Sequence, residues 1–273
     1  MPEATLNISA WLGALAAILL AAVAAWVVSV VRRDVSIVDS LWSLLILLGL
    51  VAYVVASGVG GPRAWLVTAL VAAWALRLSL HITVRNHGEP EDRRYQAIRR
   101  NNEPRFWLKS LYIVFLLQGF LAWVVCLPAL AAVSAQTLPG PPGFAWSVLL
   151  PALGVILWST GMFFEVVGDW QLTRFRRQRE SADAVLDSGL WRYTRHPNYF
   201  GEALLWWGIY LLALSAGAWW AFIGPLLLTF LLLRVSGVAL LEKDISERRP
   251  AYRDYVRRTN AFFPGPPRPA AGA

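Results

Sequence analysis

The chain has 273 residues, of which 57% are hydrophobic and only 15% charged; a water-soluble domain averages roughly 45–50% apolar and about 25% charged, so this much apolar surface needs a solvent other than water. One cysteine (Cys126) and three histidines (His81, His87, His196) exclude a disulfide framework and argue against a structural zinc site, so no metal ligand is assigned. The net charge of +8 would suggest nucleic acid in a soluble protein, but here the placement of the charges says otherwise.

The first apolar run, Ala10–Val31, follows a segment with no Lys or Arg, so it lacks the basic start of a cleaved signal and is long enough to span a bilayer. Further runs follow at Ile37–Val55, Trp65–Val84, Leu111–Val133 and Trp146–Val167. Two shorter ones, Tyr199–Leu214 and Trp219–Leu233, are joined by Ser215–Ala218 and read as a tight helical hairpin. The expected fold is therefore all-α: a polytopic membrane protein of seven transmembrane helices in a single domain over residues 1–273.

Apart from Arg63 and from Arg77 inside the third run, every basic residue falls after runs one, three, five or seven. The positive-inside rule then puts the N-terminus outside and the C-terminus in the cytoplasm of a multi-pass protein of the cell (inner) membrane. The basic surplus is an orientation and lipid-contact signal, and no nucleic-acid partner is expected. In the segment from Glu242 to Phe263, Tyr252, Tyr255 and Phe262 recur on one helical face. An interfacial C-terminal helix on the cytoplasmic leaflet and a lid over a cytosolic site both fit. Residues 263–273 read as a disordered tail.

Ionisable groups inside spans are costly and mark function or a specific pair. Asp39, Arg77, His81, Glu165, Asp169, Glu202 and Arg234 all fall in the cytoplasmic half of the predicted spans, as one cavity open to the cytosol would require. Trp74, Arg77 and His81 share a helical stripe, as do Glu165, Asp169 and Arg176, while Asn198, Glu202 and Trp206 repeat every four residues. The bland readings are a structural Asp39–Arg77 salt bridge and a core histidine at 81. The most specific string is Arg195-His-Pro-Asn-Tyr-Phe-Gly-Glu202. Pro197 suits the first position of a helix, and Arg195–His196 before it would cradle an anion. Gly58-Val-Gly-Gly61 lacks the strand and the full spacing of a dinucleotide-binding loop.

These residues, with Ser36-Ile-Val-Asp-Ser-Leu-Trp42, Trp74-Ala-Leu-Arg-Leu78 and Gly88-Glu-Pro-Glu-Asp-Arg-Arg-Tyr95, resemble the steroid 5-alpha-reductase superfamily, most strongly from Glu165 to Pro264. The resemblance implies seven spans, a cytoplasmic-side NADPH site, and reduction of a carbon–carbon double bond conjugated to a carbonyl in a lipophilic steroid-, sterol- or isoprenoid-like substrate. It implies cofactor-binding roles for Asp169, Arg176, Asn198 and Glu202, with Tyr199 and Trp206 lining the pocket. Arg195 or Arg176 would take the 2′-phosphate, beside His196. The family's better-known enzymes polarise the substrate carbonyl with a Tyr and a Glu from the N-terminal half; here the third span carries no Tyr, and Asp39, Arg77 and His81 are the catalytic candidates. The Arg-His-Pro-x-Tyr string and the tail with Glu242, Tyr252 and Tyr255 also resemble isoprenylcysteine carboxyl methyltransferases, so S-adenosylmethionine-dependent methyl transfer to a lipid is the alternative. A non-enzymatic lipid-binding scaffold is the third reading; it predicts no discrete cofactor affinity.

Overall fold

A computed structural model describes residues 6–135, 146–179, 181, 183–235, 238 and 252–268. Among these, all regular structure is helical. Four long helices come first: α1 (Ile8–Arg32), α2 (Ile37–Ser57), α3 (Pro62–Asn86) and, after a short polar helix α4 (Arg93–Asn101), α5 (Phe106–Ser134). The caps follow local chemistry. The Asn7 side chain accepts from the Ala10 N–H at 3.1 Å to start α1, and Asp92 accepts from the Arg94 N–H at 2.9 Å to start α4. Pro62 fills the first turn of α3, where its missing N–H costs nothing. Gly58 ends α2 with φ +67°, a conformation that glycine adopts without a Cβ clash.

The remaining helices are α6 (Trp146–Gln178), α7 (Pro197–Leu214), α8 (Trp219–Val235) and the short α9 (Tyr252–Arg258). Five helices, α1, α2, α3, α5 and α6, are long and apolar enough to cross a membrane. The two expected last spans are the shorter ones: α7 has 18 residues with Glu202 in its second turn, and α8 is a shorter apolar helix that opens with a 3₁₀ turn and closes in a π-helical stretch. The protein is thus an all-helical, multi-pass membrane protein.

The chain divides into two compact units. Unit 1 comprises residues 1–148 and 212–224, unit 2 residues 149–211 and 225–273. In unit 1, Gly49 on α2 and Gly119 on α5 both pack against Ile18 of α1. The Trp11 and Trp123 rings stack at 4.1 Å. Tyr95 and Phe106 join Ala22, Ala25, Val38 and Phe115 in one apolar cluster. Arg63, at the start of α3, ties three segments together. Its Nε donates to the Ala132 carbonyl at 2.9 Å, and its Nη2 donates to the Leu212 carbonyl and to Ser215 Oγ.

Candidate functional site

The site in unit 2 begins with glycines. A Cβ added at Gly201 of α7 would lie 2.4 Å from the Gly161 carbonyl oxygen of α6, and one at Gly208 would lie 2.6 Å from that of Gly154. No real side chain fits either gap, so the two backbones run in near contact, the close approach that small residues permit between membrane helices. Two turns further along α6, Gly168 abuts Pro197 and the Asn198 N–H. This spacing faces Glu165 and Asp169, four apart on α6, toward Asn198 and Glu202, four apart on α7.

Glu165, Asp169 and Glu202 are all buried, at 2%, 6% and 7% exposure, in positions that carboxylates occupy only with partners or ligands. Asn198 Nδ2 donates to Asp169 Oδ1 at 3.0 Å, joining the two helices. The other end of the carboxamide accepts from the Tyr199 N–H. His196 and Tyr199 stack their rings at 5.5 Å and 2°, and Trp206 is fully buried two turns beyond Asn198. Carboxylates and a carboxamide at helix-to-helix distance offer paired donors and acceptors to a ligand's hydroxyls and amides. Arg176 lies further along α6, which continues past the apolar part to Gln178, and is exposed.

Arg195 reaches into the C-terminal segment. It is buried, and its Nη1 donates to the carbonyls of Val256 and Thr259 at the end of α9, a cation on a helix C-terminus. Its N–H donates to the Asn260 carbonyl, Thr194 Oγ1 to that of Phe262, and Tyr255 Oη to that of Trp191. Phe200 of α7 packs edge-on against Phe262. Tyr252, Tyr255 and Phe262 are therefore inward-facing residues of unit 2. Further along, Gly265 N donates to the Tyr193 carbonyl and Arg268 N to that of Arg258. Glu242 and residues 269–273 lie outside the described residues.

In unit 1, Asp39 sits in the first turn of α2, where the helix dipole favours a negative charge. Its partners come from α4. Arg94 Nη2 donates to Oδ2 and Tyr95 Oη donates to Oδ1, each at 2.6 Å. Gln118 Nε2 donates to Tyr95 Oη at 3.1 Å. Burial first, then the Asp39 charge, push the Tyr95 hydroxyl well above the usual phenol pKa, so it stays a proton donor. Trp74 is fully buried on α3, with Arg77 and His81 half-buried beyond it on the same stripe.

Over residues 25–259 the chain matches the family described as protein of unknown function (DUF1295). The chain belongs to that family. DUF1295 is part of the steroid 5-alpha-reductase-like group. Among curated proteins, an uncharacterised protein of Schizosaccharomyces pombe is 25% identical over 269 residues, 88% of this chain and 75% of that protein. Steroid 5-alpha-reductase DET2 of Arabidopsis thaliana is 31% identical over 77 residues, spanning 28% of each chain. No solved structure matches.

In this DUF1295 protein, sequence reasoning missed Arg94, Tyr95 and Gln118. In the sequence, Arg77 is the bland ion partner for Asp39, and the third span carries no tyrosine. The signal was present in Gly88–Tyr95, a segment noted for its resemblance but given no role. A polar helix between two spans reads as a solvated loop until its tyrosine is seen to fold under α2.

Proposed function

We propose that this DUF1295 protein is a membrane reductase that uses NADPH to saturate a carbon–carbon double bond conjugated to a carbonyl in a steroid-, sterol- or isoprenoid-like substrate. The observation that carries the proposal is the Asp169–Asn198 hydrogen bond between two helices packed backbone to backbone, beside buried Glu165 and Glu202. Similarity to a protein named as a steroid 5-alpha-reductase supports it.

The donor set fits the cofactor's polar end. Asp169, Asn198 and Glu202 match the carboxamide and ribose hydroxyls of a nicotinamide nucleoside in hydrogen-bonding type. Tyr199 and Trp206 supply aromatic surface, with His196 stacked on Tyr199. With Arg195 Nη1 turned to main-chain carbonyls, exposed Arg176 is the favoured phosphate ligand. When bound, NADPH supplies the hydride. The substrate carbonyl needs a donor as negative charge develops on its oxygen. Arg77 and His81 are candidates, and Tyr95, oriented by Asp39, joins them.

The same reading takes α7 and α8 as the sixth and seventh crossings. The N-terminus lies outside and the active site faces the cytoplasm of the cell (inner) membrane. α9 lies at the cytoplasmic leaflet in contact with membrane lipids.

One observation favours the methyltransferase alternative. Three buried carboxylates beside a committed arginine make a site less cationic than a triphosphorylated dinucleotide favours, and suit the cationic S-adenosylmethionine. Thermal melting of purified protein with each cofactor separates the two. A ligand at 100 times its Kd stabilises by about 2.7 kcal/mol. A melting shift with NADPH that disappears in Asn198→Ala/Glu202→Ala supports the reductase; a shift with S-adenosylmethionine alone overturns it.

A further inference from the structure

Unit 2 carries a second polar concavity that the reductase reading leaves unused. A half-open cleft of about 540 Å³ is lined by Asp187 and Ser188 from the segment after α6, Gly189 and Arg192 from the 3₁₀ turn Gly189–Arg192, Arg258 from the end of α9, and Arg268. Three arginines and one aspartate line it. Asp187 meets Arg258 at 3.4 Å, longer than the 2.7–2.9 Å usual for a charge-assisted hydrogen bond, so it holds the cation loosely.

The arginines are positioned by backbone. Arg268 N donates to the Arg258 carbonyl, Gly265 N to that of Tyr193, and Arg195 N to that of Asn260. Leu190 N donates to Gln171 Oε1 at 3.0 Å, anchoring the turn that carries Arg192 to α6. Two stretches distant in sequence, 187–192 and 258–268, are thus fixed so that three arginines line one opening, although self-repulsion would separate them. Arginine's planar fork matches phosphate oxygens two at a time. The volume exceeds that of orthophosphate and lies within the few-hundred-to-1,000 Å³ range of small-molecule sites.

We infer that the cleft lined by Arg192, Arg258 and Arg268 binds a phosphate group carried on a larger molecule, either a soluble phosphate ester or an anionic phospholipid headgroup. This inference stands apart from the nicotinamide site, because none of its residues is assigned there.

The test uses the full chain in phosphatidylcholine nanodiscs. Inorganic pyrophosphate binding is measured by titration, and melting is compared with and without phosphatidic acid in the lipid. Arg192→Gln/Arg268→Gln is compared with Arg174→Gln/Arg177→Gln, which removes the same charge from exposed positions of α6. Pyrophosphate binding weakened about tenfold or more in the first variant only, as removal of two guanidinium forks demands, supports a soluble phosphate ligand. A phosphatidic-acid melting shift lost in the first variant only, with no pyrophosphate binding, supports the lipid headgroup. No response to either probe, or equal loss in both variants, overturns the proposal. Should the double variant melt lower without ligand, the single Arg268→Gln variant is read by the same criteria.

Discussion

Gly201 and Gly161 meet backbone to backbone across α6 and α7, leaving 2.4 Å between the Gly161 carbonyl oxygen and the place where a Cβ on residue 201 would stand. Gly201→Ala must therefore separate the helices that carry Asp169 and Asn198. The expected cost is about 1–3 kcal/mol from overpacking, with lower cofactor-induced stabilisation. Gly13→Ala on α1, where nothing lies within 4 Å, is expected to be neutral or stabilising, since alanine favours helix by up to about 1 kcal/mol. Melting of both variants, with and without NADPH, checks this; equal behaviour would refute the close-contact account.

Tyr95→Phe removes the hydroxyl that donates to Asp39 and accepts from Gln118. Leaving those half-buried partners short should cost about 1–3 kcal/mol. The pH dependence has a definite sign. The folded pKa of Tyr95 is raised above the unfolded value of 10.0, by burial and then by Asp39. Its contribution is therefore complete below about pH 10 and is lost as pH rises from there through the folded pKa. The stability gap between wild type and Tyr95→Phe should narrow above pH 10 and stay flat at neutral pH. A gap that widens there would contradict the assignment.

Arg195→Gln should release the C-terminal segment before it unfolds the protein. The guanidinium holds the Val256 and Thr259 carbonyls, and neighbouring bonds from Thr194 and Tyr255 hold the same segment. Trypsin cleavage after Arg253, Arg257 or Arg258 should accelerate in the variant while cleavage elsewhere does not. Unchanged cleavage would remove the clamp and return Arg195 to the anion-binding role expected from sequence.

Arg63→Met keeps length and apolar stem but withdraws donors from Ala132, Leu212 and Ser215. A loss of about 2 kcal/mol or more is expected in detergent melting. Ser215→Ala removes one partner and should cost less, about 1 kcal/mol.

The helices were legible because a bilayer demands long apolar runs, and α1, α2, α3, α5 and α6 all contain theirs. The end of α6 was less plain: hydropathy stops near Val167, but the helix continues to Gln178 because a backbone leaving the membrane keeps its hydrogen bonds. The Asp169–Asn198 relation was visible as two i, i+4 pairs, whereas its closeness depends on glycines whose role appears only when the opposing backbone is known. Arg195 and Tyr95 were obscured for one reason. A side chain's partner some 60 residues away leaves no periodic trace, so neither the Arg195 bonds nor the Tyr95–Asp39 bond shows in residue spacing.

The Arg63 bonds bear on how the chain is made. The guanidinium enters with α3, yet one of its acceptors, the Leu212 carbonyl, is 149 residues downstream. A nascent chain must shelter that charge through the insertion of every helix between, whether with water at the membrane face or within the insertion machinery. Unit 1 reaches its full set of bonds only when synthesis has passed Ser215. A chain stopped earlier retains an arginine lacking its late acceptors.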